Sequence, residues 1–367
     1  MDKEIINQRV RRLRAVLKSE RLNGMLVTSI ENIRYLTGFS GHDSWVLVLP
    51  RSVTLITDSR YTEQAVGECP ACRIIERKKS IVDTLAGLLA KQSGVKKLAV
   101  EDILSIALGG RLTQTLRKLK ISLAPTASLV GQLRTIKEAG EVRLIRRAAS
   151  IAWDALHTAI IKLKPGITEQ ALAAILEYEM KVRGASVGFD TIVCFGPNGS
   201  RNHHQPGPRR LRKNDTILID FGAAVGGYTC DITRSFAFGK PTAEYRHAWQ
   251  AVYDAQQAAI AKVCEGVHGT EVDAAAREII KASGFPVYGH GTGHGLGLQI
   301  HEAPYLSALD TKTQLKTGQT ITIEPGIYIP GKFGIRIEDD ILVTPTGCRI
   351  LTQDKKYKFS RDGLICL

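Results

Sequence analysis

A helix-helix-sheet pattern that recurs after about a hundred residues is the strongest constraint on how this chain folds. The first helix of one pair ends at Lys164-Pro165-Gly166, and Thr168-Glu169 opens a second that closes near Gly184. The first helix of the other pair ends at Glu265-Gly266, and Thr270-Glu271 opens a second that closes at Gly284. Each Thr is an N-cap candidate, and each Glu suits the positive end of its helix. Strand-like runs follow both pairs. Two matched halves predict one pseudo-symmetric α+β domain whose sheets join at the centre.

In the first half, apolar runs at 216–224 and 228–238 flank Val225-Gly226-Gly227. A two-residue turn at Gly226-Gly227 pairs Val225 with Tyr228 and sets Asp220 opposite Thr233. Asp231 is two positions from Thr233 and shares the face of Asp220. The two carboxylates become diagonal neighbours, with Cα atoms roughly 7–8 Å apart. Asp220 also lies inside Ile217-Leu218-Ile219-Asp220-Phe221, where an acid without a cation is costly.

The second half supplies a matching set. Glu324 ends the run Thr320-Ile321-Thr322-Ile323, and Glu338 follows Ile335-Arg336-Ile337. In a strand Arg336 and Glu338 share a face, and Asp340 continues it. Upstream, glycine takes every second position from Gly289 to Gly297, and three of the nine histidines, His290, His294 and His301, lie within twelve residues. Glycines without side chains let a ligand or another backbone approach closely. Asp220, Asp231, Glu324, Glu338 and one histidine make an oxygen-dominated donor set. It suits one or two ions such as Mn²⁺, Co²⁺ or Zn²⁺ better than a structural zinc site of cysteines.

Residues 1–125 read as a separate α/β domain, with a helical period through Val10, Leu13, Leu17 and Leu22. Short strands are expected at 25–27, 45–49, 53–57 and 99–100, and helices at 81–91 and 108–119. A small-residue connector over 126–140 leads to a catalytic domain over 141–367. The chain carries a net charge of +14, and residues 1–125 hold 21 Lys/Arg against 12 Asp/Glu. No aromatic interleaving or nucleic-acid motif accompanies the charge, so a solvated basic surface is expected, with no nucleic-acid or membrane partner. No apolar run approaches roughly 18 residues. The basic start lacks the apolar core of a signal peptide, and the seven cysteines fit a reduced, cytoplasmic protein.

Rival motifs fail on context. Gly184-Ala185-Ser186-Val187-Gly188 has the spacing of a serine-hydrolase elbow, but Ser186 follows a helix where that elbow follows a strand. Tyr305 stands where an HExxH motif starting at His301-Glu302 needs its second histidine. Cys69-Pro70-Ala71-Cys72 has no second ligand pair for zinc.

Asp220, Asp231, His294, Glu324 and Glu338, in that order and context, resemble the five metal ligands of metallopeptidase family M24, the pita-bread enzymes. Asn32 through Phe39 is similar to the creatinase-type N-terminal domain, which points to the aminopeptidase P and prolidase branch. Creatinase itself lacks the ligands. The resemblance implies a pita-bread catalytic domain with pseudo-twofold halves behind a smaller creatinase-type α/β domain. It implies that Asp231 and Glu338 bridge two divalent ions, Mn²⁺ foremost, that Asp220 completes one shell, and that His294 with Glu324 completes the other. It places catalytic histidines at His203, His290 and His301, and a supporting arginine at Arg336. Phe195, Arg201, Asn202 and His204 depart from the family pattern beside the substrate cleft.

The implied chemistry is hydrolysis of the bond between an N-terminal residue and proline by a metal-bridged hydroxide. His203 or His301 assists at the oxyanion, and Glu324 shuttles the proton. The expected substrates are short peptides with proline in second place, and the expected assembly is a homodimer. An aminopeptidase P-like activity on longer peptides is the reading taken. A dipeptidase (prolidase) is the alternative, with Arg201 as its candidate carboxylate clamp against a plain solvent-facing role. A pita-bread binding module that had lost catalysis would be expected to have lost ligands, and all five are present.

Overall fold

A computed structural model of the chain describes residues 3–354. The end of the expected catalytic domain, 355–367, lies outside the described residues. The chain divides into two compact units between Arg134 and Thr135.

The first unit contains α1 (Lys3–Ser19), β1 (Gly24–Val27), α2 (Ile30–Thr37), β2 (Trp45–Val48), β3 (Val53–Thr57), α3 (Thr62–Glu68), β4 (Arg73–Glu76), α4 (Ile81–Leu89), β5 (Lys97–Glu101), α5 (Ile106–Arg117), β6 (Ser122–Thr126) and α6 (Leu129–Arg134). Its strands form one six-stranded sheet in the order β4-β3-β2-β1-β5-β6. The α1 face of Val10, Leu13 and Leu17 is buried. Leu85, Leu89, Leu112 and Leu116 from α4 and α5 pack on Leu26, Leu47, Ile56 and Leu98 of the sheet. The expected connector over 126–140 holds the last residue of β6, all of α6 and the start of the next helix.

The second unit opens with α7 (Ala139–Ile161) and α8 (Glu169–Val182), followed by β7 (Ser186–Val187), β8 (Ile192–Phe195), β9 (Thr216–Phe221), β10 (Ala223–Val225), β11 (Tyr228–Thr229) and β12 (Ile232–Ala237). The second helix pair is α9 (Ala243–Lys262) and α10 (Gly269–Ala282), with β13 (Gly293–Gly295), β14 (Glu302–Leu306), β15 (Thr320–Ile323), β16 (Gly326–Ile329), β17 (Phe333–Arg336), β18 (Asp339–Thr344) and β19 (Gly347–Ile350) behind it. Each helix pair covers its own sheet. Trp153, Leu172 and Leu176 pack with Phe195, Ile219 and Phe221 in the first half. Trp249, Val252 and Val272 pack with Ile321, Ile335 and Ile341 in the second.

The caps of the two second helices differ. Thr168 caps α8 as expected, its side chain accepting from Ala171 N. Thr270 does not cap α10. The cap is His268, two residues earlier, in a capping box where Glu271 accepts from His268 N at 3.0 Å. The acid at the third helical position fixes the start, so Thr270 is drawn into the first turn.

The β10–β11 turn has both glycines at positive φ, 59° at Gly226 and 84° at Gly227. That is the type I′ turn whose twist matches its strands. Val225 pairs with Tyr228, and in the same register β9 pairs with β12 so that Asp220 faces Thr233. The two halves meet along β12. Asp231 N donates to Asp340 Oδ2 at 3.1 Å, Glu338 N donates to Thr233 O at 3.1 Å, and Arg336 N donates to Ser235 Oγ at 3.1 Å.

Candidate metal centre

The seam between the halves opens into a cavity of about 580 Å³ lined by all five expected ligands, Asp220, Asp231, His294, Glu324 and Glu338, together with His203, His290, His301 and Arg336. Each arrives on a different piece of the frame. Asp220 is in β9, Asp231 immediately precedes β12, and His294 is the middle residue of β13. Glu324 follows β15, and Glu338 sits in the two-residue gap between β17 and β18.

The alternating glycines hold β13 against its neighbours. A side chain at Gly293 would lie 1.9 Å from Thr322 O, and one at Gly295 would lie 2.3 Å from Ala303 O. The close approach is that of another backbone at both positions, while Gly289 has open space. Nearby, Lys137 Nζ donates to Glu302 Oε1 at 2.6 Å in a buried ion pair, which fixes the chain just beyond His301.

The ligand-type atoms of Asp231, His294 and Glu338 all fall within 4.8 Å of one another. His294 Nε2 lies 3.4 Å from Glu324 Oε1 and 3.8 Å from Asp231 Oδ2. Its Nδ1 is 3.1 Å from Gly295 O, a group that only accepts, so the ring proton belongs on Nδ1. Burial keeps this imidazole below its usual pKa and hence neutral. The bare Nε2 lone pair then faces two carboxylates, an arrangement that fits a cation between them.

The carboxylates agree. Asp220 Oδ2 accepts from Arg336 Nη2 at 2.5 Å, but its buried Oδ1 has no hydrogen-bond partner. Burial, then the charges of Glu338 and Asp220, push Asp231 well above the usual carboxylate range. Burial pushes Glu338 up in the same way, with Glu324 and Asp220 adding to it. Glu324 is raised by burial and partly restrained by Arg336 and His290. Divalent cations invert both causes, replacing lost solvation and like charge with attraction. The residues present fit a site for hard or borderline divalent ions.

Arg336 holds the site from behind. Its Nε donates to Thr233 Oγ1 at 3.0 Å, and Thr233 donates to Glu338 Oε2 at 2.6 Å, so the arginine reaches Glu338 through a hydroxyl. Its Nη1 donates to Tyr328 OH at 3.0 Å, and that hydroxyl lies 3.0 Å from His290 Nε2. His290 Nδ1 is bound to Gly291 O at 2.7 Å. The His301 ring lies 4.4 Å from that of His294, centroid to centroid, and burial lowers its pKa. His203 is exposed to the cavity.

Several sequence expectations need correction or addition. Asp340 does not continue the face of Arg336, because the chain leaves the β16–β17 ribbon at Ile337 and enters another sheet at Asp339. Asp340 instead takes the Asp231 backbone N–H, and its Oδ1 has no hydrogen-bond partner. Arg201 is exposed and does not line the cavity. Ser186, of the rejected elbow motif, is exposed on β7 after a helix. Thr233, Tyr328 and the fully buried Glu169 were not singled out for the site. A hydroxyl or acid that serves by touching another side chain leaves no spacing signal.

Comparison with known proteins follows the same division of the chain. Residues 143–345 match the model of metallopeptidase family M24, and residues 9–136 match that of the creatinase/prolidase N-terminal domain. The chain belongs to metallopeptidase family M24 and is a hydrolase with the pita-bread fold behind a creatinase-type domain. It is 39% identical over 350 residues to an uncharacterized peptidase, YqhT, of Bacillus subtilis, covering 95% of this chain and 98% of the relative. The structure of an Xaa-Pro dipeptidase from Bacillus anthracis matches with a TM-score of 0.92 at 34% identity, over 99% of this chain and 100% of that one. An X-Pro aminopeptidase from Thermotoga maritima matches at 0.89 and 33%, over 98% and 99%. No helix among the described residues is long and apolar enough to cross a membrane.

Proposed function

We propose that the chain is a dinuclear-metal-dependent Xaa-Pro peptidase that releases the first residue of peptides with proline in second place, in the manner of aminopeptidase P. The observation that carries the reading is the five-residue donor set in one cavity, with a neutral His294 facing two buried carboxylates and an unpartnered Asp220 Oδ1. Asp220, Asp231, His294, Glu324 and Glu338 would hold two divalent ions, Mn²⁺ foremost and Co²⁺ or Zn²⁺ otherwise. When bound, the ions supply Lewis-acid polarisation and acidify water.

The chain's own groups do the rest. Glu324 would take the proton that the attacking water gives up and pass it to the imino nitrogen as the amide C–N bond breaks. His203 and His301 donate to the carbonyl oxygen as negative charge develops there. Arg336 holds Asp220 in place through their 2.5 Å contact. His290, fixed by Gly291 and Tyr328, walls the cavity beside Glu324. A dedicated site suits the Xaa-Pro bond, a tertiary amide without an N–H.

The charge of the cavity lining supports the longer-peptide reading. Among the described residues Arg336 is the one Lys or Arg lining the cavity, and Asp220, Thr233 and Tyr328 already occupy its guanidinium. With no free side-chain cation there for a C-terminal carboxylate, the site favours peptides that continue beyond proline. The likeness to the Bacillus anthracis protein, an Xaa-Pro dipeptidase, favours the alternative. Xaa-Pro dipeptides and matched Xaa-Pro-Yaa tripeptides, assayed with Mn²⁺, Co²⁺ and Zn²⁺, separate the two. The expected outcome is higher kcat/KM for tripeptides. A tenfold preference for dipeptides, about 1.4 kcal/mol in the transition state, replaces the aminopeptidase reading with the dipeptidase.

A cytoplasmic location is supported by six cysteines that are all free among the described residues. A homodimer is part of the proposal on the family resemblance and is read by sedimentation.

A further inference from the structure

His203 lines the cavity, and no hydrogen bond to another described residue holds its ring, so its place depends on how its backbone is held. That backbone belongs to a segment, 195–207, that a single carboxylate ties together. Glu169, the first residue of α8, is fully buried at 0% exposure. Its Oε1 accepts from Phe195 N at 2.8 Å and from Asn198 Nδ2 at 2.9 Å. Its Oε2 accepts from His204 Nε2 at 2.9 Å and from Gly207 N at 3.0 Å. The four donors span the segment from end to end, and His204 is the immediate neighbour of His203.

We infer that Glu169, acting through His204, is the positioning residue that sets where His203 stands in the cleft. The inference rests on the reading of His203 as a group that acts on substrate. An ionised carboxylate is acceptor-only and meets four donors without conflict. An amide of the same shape is not equivalent. In a Glu169→Gln variant, whichever way the amide turned, its NH2 would oppose either Phe195 N or Gly207 N, backbone donors that cannot become acceptors, and leave that one without its partner. His204 contributes the adjustable member of the set, because its side chain is the donor nearest His203 along the chain. The family-unlike residue at this position is thereby part of the frame of the site.

The test is a double-mutant cycle with metal content as a second readout. Glu169→Gln is expected to lower kcat for an Xaa-Pro-Yaa peptide about tenfold, on the scale of a misplaced oxyanion donor, with KM and bound Mn²⁺ near the parent values. In a His203→Ala background the same change is expected to cost less than about twofold, since the group it positions is gone. His204→Gln, at a half-buried position, is expected to show the same dependence on His203 with a smaller loss, and it serves alone if Glu169→Gln does not fold. Equal losses in both backgrounds make Glu169 and His204 merely structural and overturn the inference, as does parental kcat in both variants. If His203→Ala itself retains parental kcat, the reading of His203 fails instead.

Discussion

At the scale of single residues, the site gathers three acids, Asp231, Glu324 and Glu338, whose ionisation burial opposes. Asp231→Asn removes one charge while keeping the shape. It is expected to abolish hydrolysis and lower bound metal, read by assay and by elemental analysis; full activity would remove Asp231 from the donor set. The same acids make a pH prediction. Asp231, Glu324 and Glu338 are all raised, burial being the first cause in each. From about pH 4 upward the metal-free folded state therefore binds more protons than the unfolded chain, and its stability falls as pH rises through the raised values. Divalent ions cancel that loss by favouring the ionised forms. The gain in Tm on adding saturating Mn²⁺ is expected to grow between about pH 5 and about pH 8, and a gain that does not change with pH contradicts the assignment.

At the scale of elements, the hairpin was the most legible part of the chain. A period of two and a Gly226-Gly227 turn leave one register that buries the apolar side chains, and the observed pairing of Asp220 with Thr233 is that register. Gly227, at φ 84°, is expected to lose about 1 kcal/mol of unfolding free energy on change to Ala, and less on change to Asn, measured by denaturant titration. Parental stability in the Ala variant would mean the turn had changed type. Less regular elements were harder to read. The edge strands β4 and β6 are half exposed, one rich in charge and the other carrying Pro125, so neither has the apolar run of a central strand. The cap at His268 was hidden because histidine seldom caps, whereas the Glu three residues on was the true signal. Asp220 was conspicuous as an acid inside an apolar strand, and Asp231, Glu324 and Glu338 as acids at the ends of such runs, while His294 stood out only through the glycines around it. The role of Glu169 was not legible, since an acid in the first turn of a helix has an ordinary explanation in the helix dipole.

At the scale of the whole molecule, Asp220 and Asp231 come from one half of the pita-bread domain, and His294, Glu324 and Glu338 come from the other. Neither half carries a complete donor set. Without ions, carboxylates face carboxylates across the seam; ions held by the proposed set would tie the two halves together. Scanning calorimetry of the chelated protein is expected to give a calorimetric enthalpy above the van't Hoff value for this domain, as the halves loosen separately, and the two are expected to agree after Mn²⁺ is restored. Equal ratios in both states would mean the halves are already one cooperative unit. The split donor set also orders events in the life of the chain. A nascent polypeptide that has made only the first half can offer two carboxylates and no more, so it competes poorly for scarce ions. On the proposed ligand set, metal would be captured only when the last strands dock, so that a chain holding it would already have passed an inspection of its own assembly.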